Sequence, residues 1–231
     1  MMKRKLTYKQ KCELFEFLCQ FVTKNRRNRL EEVAGNRTRF ITVVLEDIYQ
    51  SQNASAVLRT CDCFGIQDIH IIENKNTYNV NPDVALGSAN WLSLYHYNKK
   101  ENNTSDCIKK LKKQGYSIIA ATPHKNDCLL EELDINSKTA VMFGTEKEGL
   151  SEIALKNADV FLKIPMFGFT ESFNISVSAA ITLFSITEKI RKSGIQWQLS
   201  KEEIIDILVK WVKNSISKGD MLEKKYFSSI V

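Results

Sequence analysis

The segment from Ile164 to Ala180 places small polar residues at the start of a helical pattern. An apolar, strand-like run ends at Pro165, and the chain turns at Gly168. Ser172 and Asn174 then precede apolar residues at helical spacing. A helix N-terminus carries unpaired backbone N–H groups and the positive end of the helix dipole, which favour polar ligands. The segment is therefore a candidate binding site for a polar group.

A second polar pair, Asn53 and Arg59, follows the apolar run 40–45 and lies on a predicted helix over 53–64. Each residue also has an ordinary structural explanation. Asn53 can cap the helix, and Arg59 can be a solvated surface residue. The pair alone leaves the functional and the structural interpretation equally open.

A third segment, Phe143 to Ser151, has Gly144 and Gly149 on either side of Glu146, directly after an apolar strand pattern. Open α/β sheets bind ligands at the carboxyl ends of their strands, and Gly144 permits close backbone approach. The spacing matches neither the G-x-x-x-x-G-K-[ST] phosphate loop nor the G-x-G-x-x-G fingerprint, which argues against nucleoside triphosphates and NAD. A plain turn followed by a helix capped by Ser151 is an alternative that is compatible with function.

Other catalytic chemistries have no matching pattern. No Ser/His/Asp or Cys/His arrangement is evident, and we interpret His70, His96 and His124 as structural or surface residues. The six cysteines show no metal-ligand spacing, so we expect no metal site and reduced thiols in a cytoplasmic protein. No apolar run reaches the length of a membrane span.

Strand and helix patterns alternate through the centre of the chain, which predicts an α/β domain with a parallel sheet. The predicted strands are 40–45, 68–72, 94–97, 116–121, 140–143 and 160–164. The first predicted helix starts after Thr7, whose spacing to Gln10 allows a capping box. The other predicted helices are 27–34, 53–64, 104–114, 152–158, 172–192 and 202–217, and the stretch 74–91 is irregular. We expect a basic N-terminal extension at 1–38, a core domain at 39–193 and a C-terminal extension at 194–231.

The net charge of +6 is distributed unevenly. Residues 1–39 carry +7, residues 40–185 carry −4 and residues 186–231 carry +3. Arginines suit bidentate phosphate contacts, so a nucleic-acid partner is favoured over a basic end that only aids solubility. The candidate contacts are Arg26, Arg27, Arg29 and Arg37.

Taken together, the motifs Asn53 to Gly65, Phe143 to Ser151 and Ile164 to Ala180 resemble the SpoU/TrmH family of RNA ribose 2′-O-methyltransferases, in the SPOUT class. Gly87 to Trp91 is similar to a small-residue turn of that family. The resemblance covers residues 40–190. It implies a parallel α/β sheet with a C-terminal deep trefoil knot, helical extensions at both ends, bound S-adenosylmethionine and a homodimer.

The resemblance also implies roles for individual residues. Those implied to bind the cofactor are Thr122, Phe143, Gly144, Ile164, Met166 and Phe173. Those implied to be catalytic are Asn53, Arg59, Glu146, Ser172 and Asn174. Phe173 departs from the leucine familiar in the family but keeps an apolar contact.

Within the family, helices before and after the core resemble the tRNA guanosine-18 enzymes, so tRNA is the expected partner. A ribosomal RNA target or another tRNA position is the alternative. A non-catalytic RNA-binding protein would discard Arg59 or Asn174, and this chain keeps both. Arginine is effectively always protonated, so we expect Arg59, oriented by Asn53 and Glu146, to hold phosphate and hydroxyl and to stabilise alkoxide charge.

Overall fold

The computed structural model describes residues 6–79, 81–123 and 128–228, so the interpretation of His124 falls outside the described residues. The described residues form two compact units. One unit comprises the described parts of 1–37 and 198–231, and the other spans 38–197.

A parallel sheet with the strand order β3-β2-β1-β6-β4-β7-β5 runs through the larger unit. Among the described residues its strands are β1 Ile41–Glu46, β2 Asp68–Ile72, β3 Ser93–Tyr97, β4 Ser117–Ala121, β5 Cys128–Leu129, β6 Thr139–Phe143 and β7 Val160–Lys163. Every neighbouring pair is parallel. The predicted parallel α/β class is confirmed, and the trefoil knot stays a prediction.

Helices connect these strands and make up most of the described parts of the terminal segments. They are α1 Tyr8–Cys19, α2 Lys24–Gly35, α3 Ser51–Cys63, α4 Pro82–Ala85, α5 Asn103–Lys113, α6 Glu152–Asn157, α7 Ile175–Lys192, α8 Lys201–Asn214 and α9 Gly219–Ser228. In the part of the chain that the structure describes, no helix has the length and apolarity needed to cross a membrane.

The sheet has an apolar layer on each face, because successive strand side chains point in opposite directions. Val43 of β1 belongs to the core layer that includes residues of α3 and α7, such as Leu58 and Leu183. Val44 belongs to the other layer, with residues of α5 and α6 such as Leu111. Because both faces of the sheet are covered at this strand, every residue of β1 is buried.

Several predicted bounds were wrong by two or three residues, and two of the errors concern the site. The helix that carries Asn53 begins at Ser51, with Gln50 at its N-cap position, so Asn53 is not the cap. The long helix α7 begins at Ile175 and not at Ser172, and its cap is Asn174. The strand β5 and helices α4 and α9 were not predicted; β5 and α4 are two and four residues long, too short for a periodic pattern.

The terminal unit is built from α1, α2, α8 and α9, which pack against one another. Its core contains Leu14, Leu18 and Trp211, all fully buried. The predicted capping box of Thr7 and Gln10 is present at the start of α1, and Ser200 and Glu203 form a second one on α8.

Candidate active site

A cavity of about 290 Å³ opens where β4, β6 and β7 end. Its lining includes all the residues that the sequence implied for cofactor contact, which are Thr122, Phe143, Gly144, Ile164, Met166 and Phe173. Glu146 and Ser172, from the implied catalytic set, also line it. The lining mixes apolar and polar side chains in similar measure, and its place at the carboxyl edge of a parallel sheet is where open α/β folds bind ligands.

Beside this cavity, Asn53, Glu146 and Asn174 form one hydrogen-bonded cluster, which we call the amide–carboxylate cluster. Asn174 Nδ2 donates to Glu146 Oε1 over 2.9 Å and to Asn53 Oδ1 over 3.1 Å. Asn53 Nδ2 also donates to Glu146 Oε1 and, over 2.8 Å, to Gln50 Oε1. The three motifs recognised in the sequence therefore meet at one point.

Asn174 combines this contact with a structural task. Its Oδ1 accepts hydrogen bonds from the backbone N–H of Ser176 over 2.9 Å and from the Ser176 hydroxyl over 2.6 Å. These bonds cap α7 and leave the Nδ2 group of Asn174 for the amide–carboxylate cluster. The helix start thus fixes which side of the amide faces the other two residues.

Glu146 is presented by a tight loop between Gly144 and Gly149. Thr145 and Gly149 exchange two backbone hydrogen bonds of 3.0 Å. A Cβ on Gly144 would lie 2.2 Å from the carbonyl oxygen of Gly149, so this position has no room for a side chain. Gly149 adopts a φ of 68°, which favours glycine.

A buried carboxylate, Glu46 at the end of β1, holds the other end of that loop. It accepts hydrogen bonds from the Ser151 backbone N–H over 2.8 Å, from the Ser151 hydroxyl over 2.7 Å and from the Thr104 hydroxyl over 2.5 Å. Ser151 also caps α6, as the structural interpretation predicted. The loop that carries Glu146 is therefore anchored to the sheet at its far end.

Arg59 is not part of the amide–carboxylate cluster. It lies on α3 six residues after Asn53, which rotates its side chain by about 240° around the helix. It is exposed, and it makes no hydrogen bond or ion pair with any residue that the structure describes. Asn53 and Glu146 therefore do not orient Arg59 within one chain, contrary to our expectation.

Sequence reasoning missed Gln50 and Glu171, which the structure adds to the site. Gln50 accepts a hydrogen bond from Asn53, and Glu171 lines the cavity. Gln50 could have been found from the sequence, because it lies among polar residues at the start of a predicted helix. Glu171 carried a comparable signal, since it directly precedes Ser172.

The arginines expected to contact nucleic acid differ in their surroundings. Arg37 is only 1% exposed, and its guanidinium carbon lies 5.1 Å from the ring centre of Trp211. Arg27 forms ion pairs with Glu16 and Glu31 over 2.6 and 2.9 Å. This geometry does not support Arg37 as a phosphate contact, because its side chain has no exposed surface to offer.

Arg26 and Arg29 are the more accessible members of that set. Arg29 pairs with Glu32 across one helical turn at 3.0 Å, and its side chain is 66% exposed. Arg26 Nε donates to Ser215 Oγ over 3.3 Å. Exposed ion pairs contribute little stability, so Arg29 can exchange its partner at small cost.

Comparison with known proteins identifies a family and related sequences. The family described as SpoU rRNA Methylase matches residues 40–184. The chain is 43% identical over 206 residues to a protein of Borreliella burgdorferi named tRNA (guanosine(18)-2′-O)-methyltransferase, an alignment that covers 89% of this chain and 93% of the relative. A protein of the same name from Thermus thermophilus is 34% identical over 193 residues, with 83% and 97% covered.

Solved structures share the fold. The A. aeolicus TrmH/SpoU tRNA modifying enzyme superposes with a TM-score of 0.76 and 27% identity, covering 84% of this chain and 98% of that one. The SpoU methyltransferase AviRb from Streptomyces viridochromogenes, in complex with the cofactor AdoMet, superposes with a TM-score of 0.58 and 18% identity, covering 70% of this chain and 62% of that one.

Proposed function

Because the chain belongs to the SpoU rRNA Methylase family, we propose that it transfers a methyl group from S-adenosylmethionine to the ribose 2′-hydroxyl of guanosine 18 in tRNA. The observation that carries the proposal is the amide–carboxylate cluster beside the cavity, which joins Asn53, Glu146 and Asn174 from three separate segments. The names of the relatives from B. burgdorferi and T. thermophilus support tRNA as the substrate. A ribosomal RNA target is the alternative.

The cavity fits S-adenosylmethionine in its chemistry. Phe143, Ile164 and Phe173 supply apolar surface for an adenine ring, and Glu171 supplies a carboxylate for a cationic ligand. Gly144 also lines the cavity and contributes backbone alone, because the close approach of Gly149 leaves no room for a side chain. When bound, S-adenosylmethionine would supply an activated methyl group, so the hard chemistry belongs to the cofactor.

The protein would then have to align the ribose hydroxyl and stabilise the charge that develops on its oxygen. Asn174 and Asn53 direct amide N–H groups toward Glu146 Oε1, and these bonds fix the three side chains relative to one another. We assign the cluster the task of holding the ribose in place beside the cavity. Ser172, at the rim of the cavity, is assigned to contact the same substrate.

Arg59 is assigned to the RNA phosphate. It is an exposed guanidinium outside the amide–carboxylate cluster, and guanidinium groups bind phosphate through two parallel hydrogen bonds. Its permanent positive charge makes it an electrostatic stabiliser and not a proton acceptor.

We further propose 39–193 as the methyltransferase domain, with 1–38 and 194–231 as extensions that contact tRNA. Arg26 and Arg29 are the proposed contacts, since both side chains are exposed on α2. The substrate implies action in the cytoplasm.

We also propose a homodimer formed through α7. Val177 and Phe184 are exposed on this helix, and Phe184 packs on Phe64 at 6.2 Å between ring centres. Exposed apolar clusters on a helix are typical of protein interfaces. Light scattering should give twice the chain mass, and Phe184→Asp should shift the protein toward the monomer; a wild-type monomer would refute this part.

The test of the function uses an unmodified tRNA transcript and radiolabelled S-adenosylmethionine. We expect label on the ribose of nucleotide 18, and none on a transcript with 2′-deoxyguanosine there. Label at another tRNA position or only on ribosomal RNA would select the alternative. No transfer to any RNA would refute the enzyme assignment.

Arg59→Ala should reduce methyl transfer by about 10²-fold or more while cofactor binding survives. Lys109→Ala, which removes an exposed cation from α5, is the matched control and should leave transfer unchanged. Near-normal turnover of the Arg59 variant would contradict the role given to this residue.

A further inference from the structure

A second cavity, of about 600 Å³ and more open to solvent than the first, lies next to the amide–carboxylate cluster and has no role in the function proposed above. One wall is the segment 49–52, which follows β1, and the other is 75–79, which follows β2. Because β1 and β2 are parallel neighbours, both walls stand at the carboxyl edge of the sheet. This is the same edge that carries the first cavity.

The two walls are tied together by Asp47. Its Oδ1 accepts backbone N–H groups of Asn74 and Lys75 over 2.7 and 2.8 Å, and its carbonyl oxygen accepts Asn76 Nδ2 over 2.8 Å. Asp47 itself adopts a φ of 53°, which is rare for a residue with a side chain. Hydrogen bonds to Asp47 therefore fix the two walls of the cavity relative to each other.

The lining has the chemistry of a nucleobase site. Tyr49 is 79% exposed, so a large aromatic face is available. The carboxamides of Gln50, Gln52, Asn76 and Asn79 line the same cavity. Lys75 also lines it, and its Nζ pairs with Glu148 over 2.9 Å. Aromatic rings stack on unpaired bases, and carboxamides can donate to and accept from base edges.

The second cavity is also connected to the amide–carboxylate cluster. Gln50 belongs to its lining and accepts a hydrogen bond from Asn53 over 2.8 Å. A base held in this cavity would therefore lie one side chain away from the residues assigned to the ribose.

We propose that this second cavity binds the base of a nucleotide adjacent to the methylated one, with Tyr49 stacking on the base. The inference rests on the proposed function, because it needs an RNA substrate at the amide–carboxylate cluster. Tyr49 is assigned a positioning role for the RNA and no part in cofactor binding.

The test compares wild type, Tyr49→Ala and Tyr49→Phe on tRNA transcripts. Loss of one stacking contact corresponds to a rise in the KM for tRNA of roughly 5- to 150-fold in Tyr49→Ala. Tyr49→Phe keeps the ring and should stay close to wild type. The dissociation constant of S-adenosylmethionine should be the same for all three proteins.

A second perturbation isolates the contact. Two transcripts are made, each with an abasic nucleotide on one side of the methylated nucleotide. One of them should raise the KM of the wild-type enzyme to the value of Tyr49→Ala on the normal transcript. Tyr49→Ala should add nothing further on that transcript, because the two changes remove the same interaction.

The outcomes separate the inference from the function. If wild type methylates RNA but Tyr49→Ala and the abasic transcripts behave like their references, the inference is overturned and the function stands. Conversion of a dimer to a monomer by Tyr49→Ala would also overturn it, since the ring would then face a second copy. If wild type methylates no RNA, the proposed function itself has failed.

Discussion

Asn174 Nδ2 lies 2.9 Å from Glu146 Oε1, although 28 residues separate them in the chain. Glu146 follows β6, and Asn174 follows β7 at the start of α7. Since every strand of the sheet is parallel, each of these connections leaves the sheet at the same edge. The topology therefore brings together side chains that the sequence keeps apart.

Substitutions can separate the two roles of Asn174, which caps α7 and donates a hydrogen bond to Glu146. Asn174→Ser keeps an oxygen that can cap α7 but loses the amide donor to Glu146, so we expect methyl transfer to fall by about 10²-fold with little change in stability. Asn174→Ala should lose both, with a further cost of about 1 kcal/mol in the free energy of unfolding. Urea unfolding and a methyl-transfer assay measure the two effects. Equal stability of the two variants would contradict the capping role.

Gly144→Ala should damage the loop that carries Glu146. The added Cβ would meet the Gly149 carbonyl oxygen at 2.2 Å, and overpacking of this kind costs about 1–3 kcal/mol. Transfer should fall with it, because Glu146 is displaced. Gly168→Ala is the matched control, since its Cβ would have nothing within 4 Å, and it should change the free energy of unfolding by less than about 0.5 kcal/mol. Wild-type stability of Gly144→Ala would show that the loop can move apart.

The stability of the protein should depend on pH because His70 is buried. Burial, helped by the charge of Lys110, lowers the pKa of His70 from 6.5 to about 4. Between these values the unfolded chain binds a proton that the folded chain does not, so stability falls as the pH falls from 6.5 to 4. The total loss is on the order of 3 kcal/mol.

Urea unfolding at several pH values tests this point, with wild type compared with His70→Leu. The variant lacks the titrating group, so its free energy of unfolding should lose that contribution between pH 6.5 and 4. Above pH 7 the histidine is neutral in both states and the two slopes should agree. Identical slopes below pH 6.5 would contradict the prediction.

Arg29 and Arg37 should behave in opposite ways. Arg29→Ala should weaken the binding of tRNA regardless of its nucleotide sequence. It should also reduce the slope of the logarithm of the binding constant against the logarithm of the salt concentration by about one, with protein stability unchanged. Arg37→Ala removes a buried guanidinium from Trp211 and should cost roughly 2 to 4 kcal/mol of stability. Filter binding over a salt series and thermal unfolding distinguish them. A salt slope unaffected by Arg29→Ala would remove this residue from the RNA contact.

Much of the fold could be predicted because its signals are local. The apolar run that became β1 is buried on both faces, and Thr7 with Gln10 forms the capping box that its spacing indicated. The class of the sheet followed from the alternation of strands and helices. The meeting of Asn53, Glu146 and Asn174 was expected only through the family resemblance, since no spacing rule links residues 93 and 121 positions apart.

The errors have a common physical cause. Arg37 was interpreted as a surface cation because its sequence neighbours are basic, but Trp211, far along the chain, buries it. Arg59 was expected to be oriented by Asn53 and Glu146, although six helical residues turn its side chain away from Asn53. The burial of a side chain and the direction in which it points depend on tertiary contacts, which cannot be deduced directly from a single sequence.

The central position of β6 has a consequence for synthesis of the chain. β6 pairs with β1 on one side and with β4 on the other, yet it follows both in the sequence. Until residue 143 has left the ribosome, the strand edges of β1 and β4 that face β6 have no partner. Open apolar strand edges promote association between chains. The nascent protein therefore passes through an aggregation-prone interval, which ends for these two edges when β6 inserts between them, while the other edge of β4 stays open until β7 pairs with it.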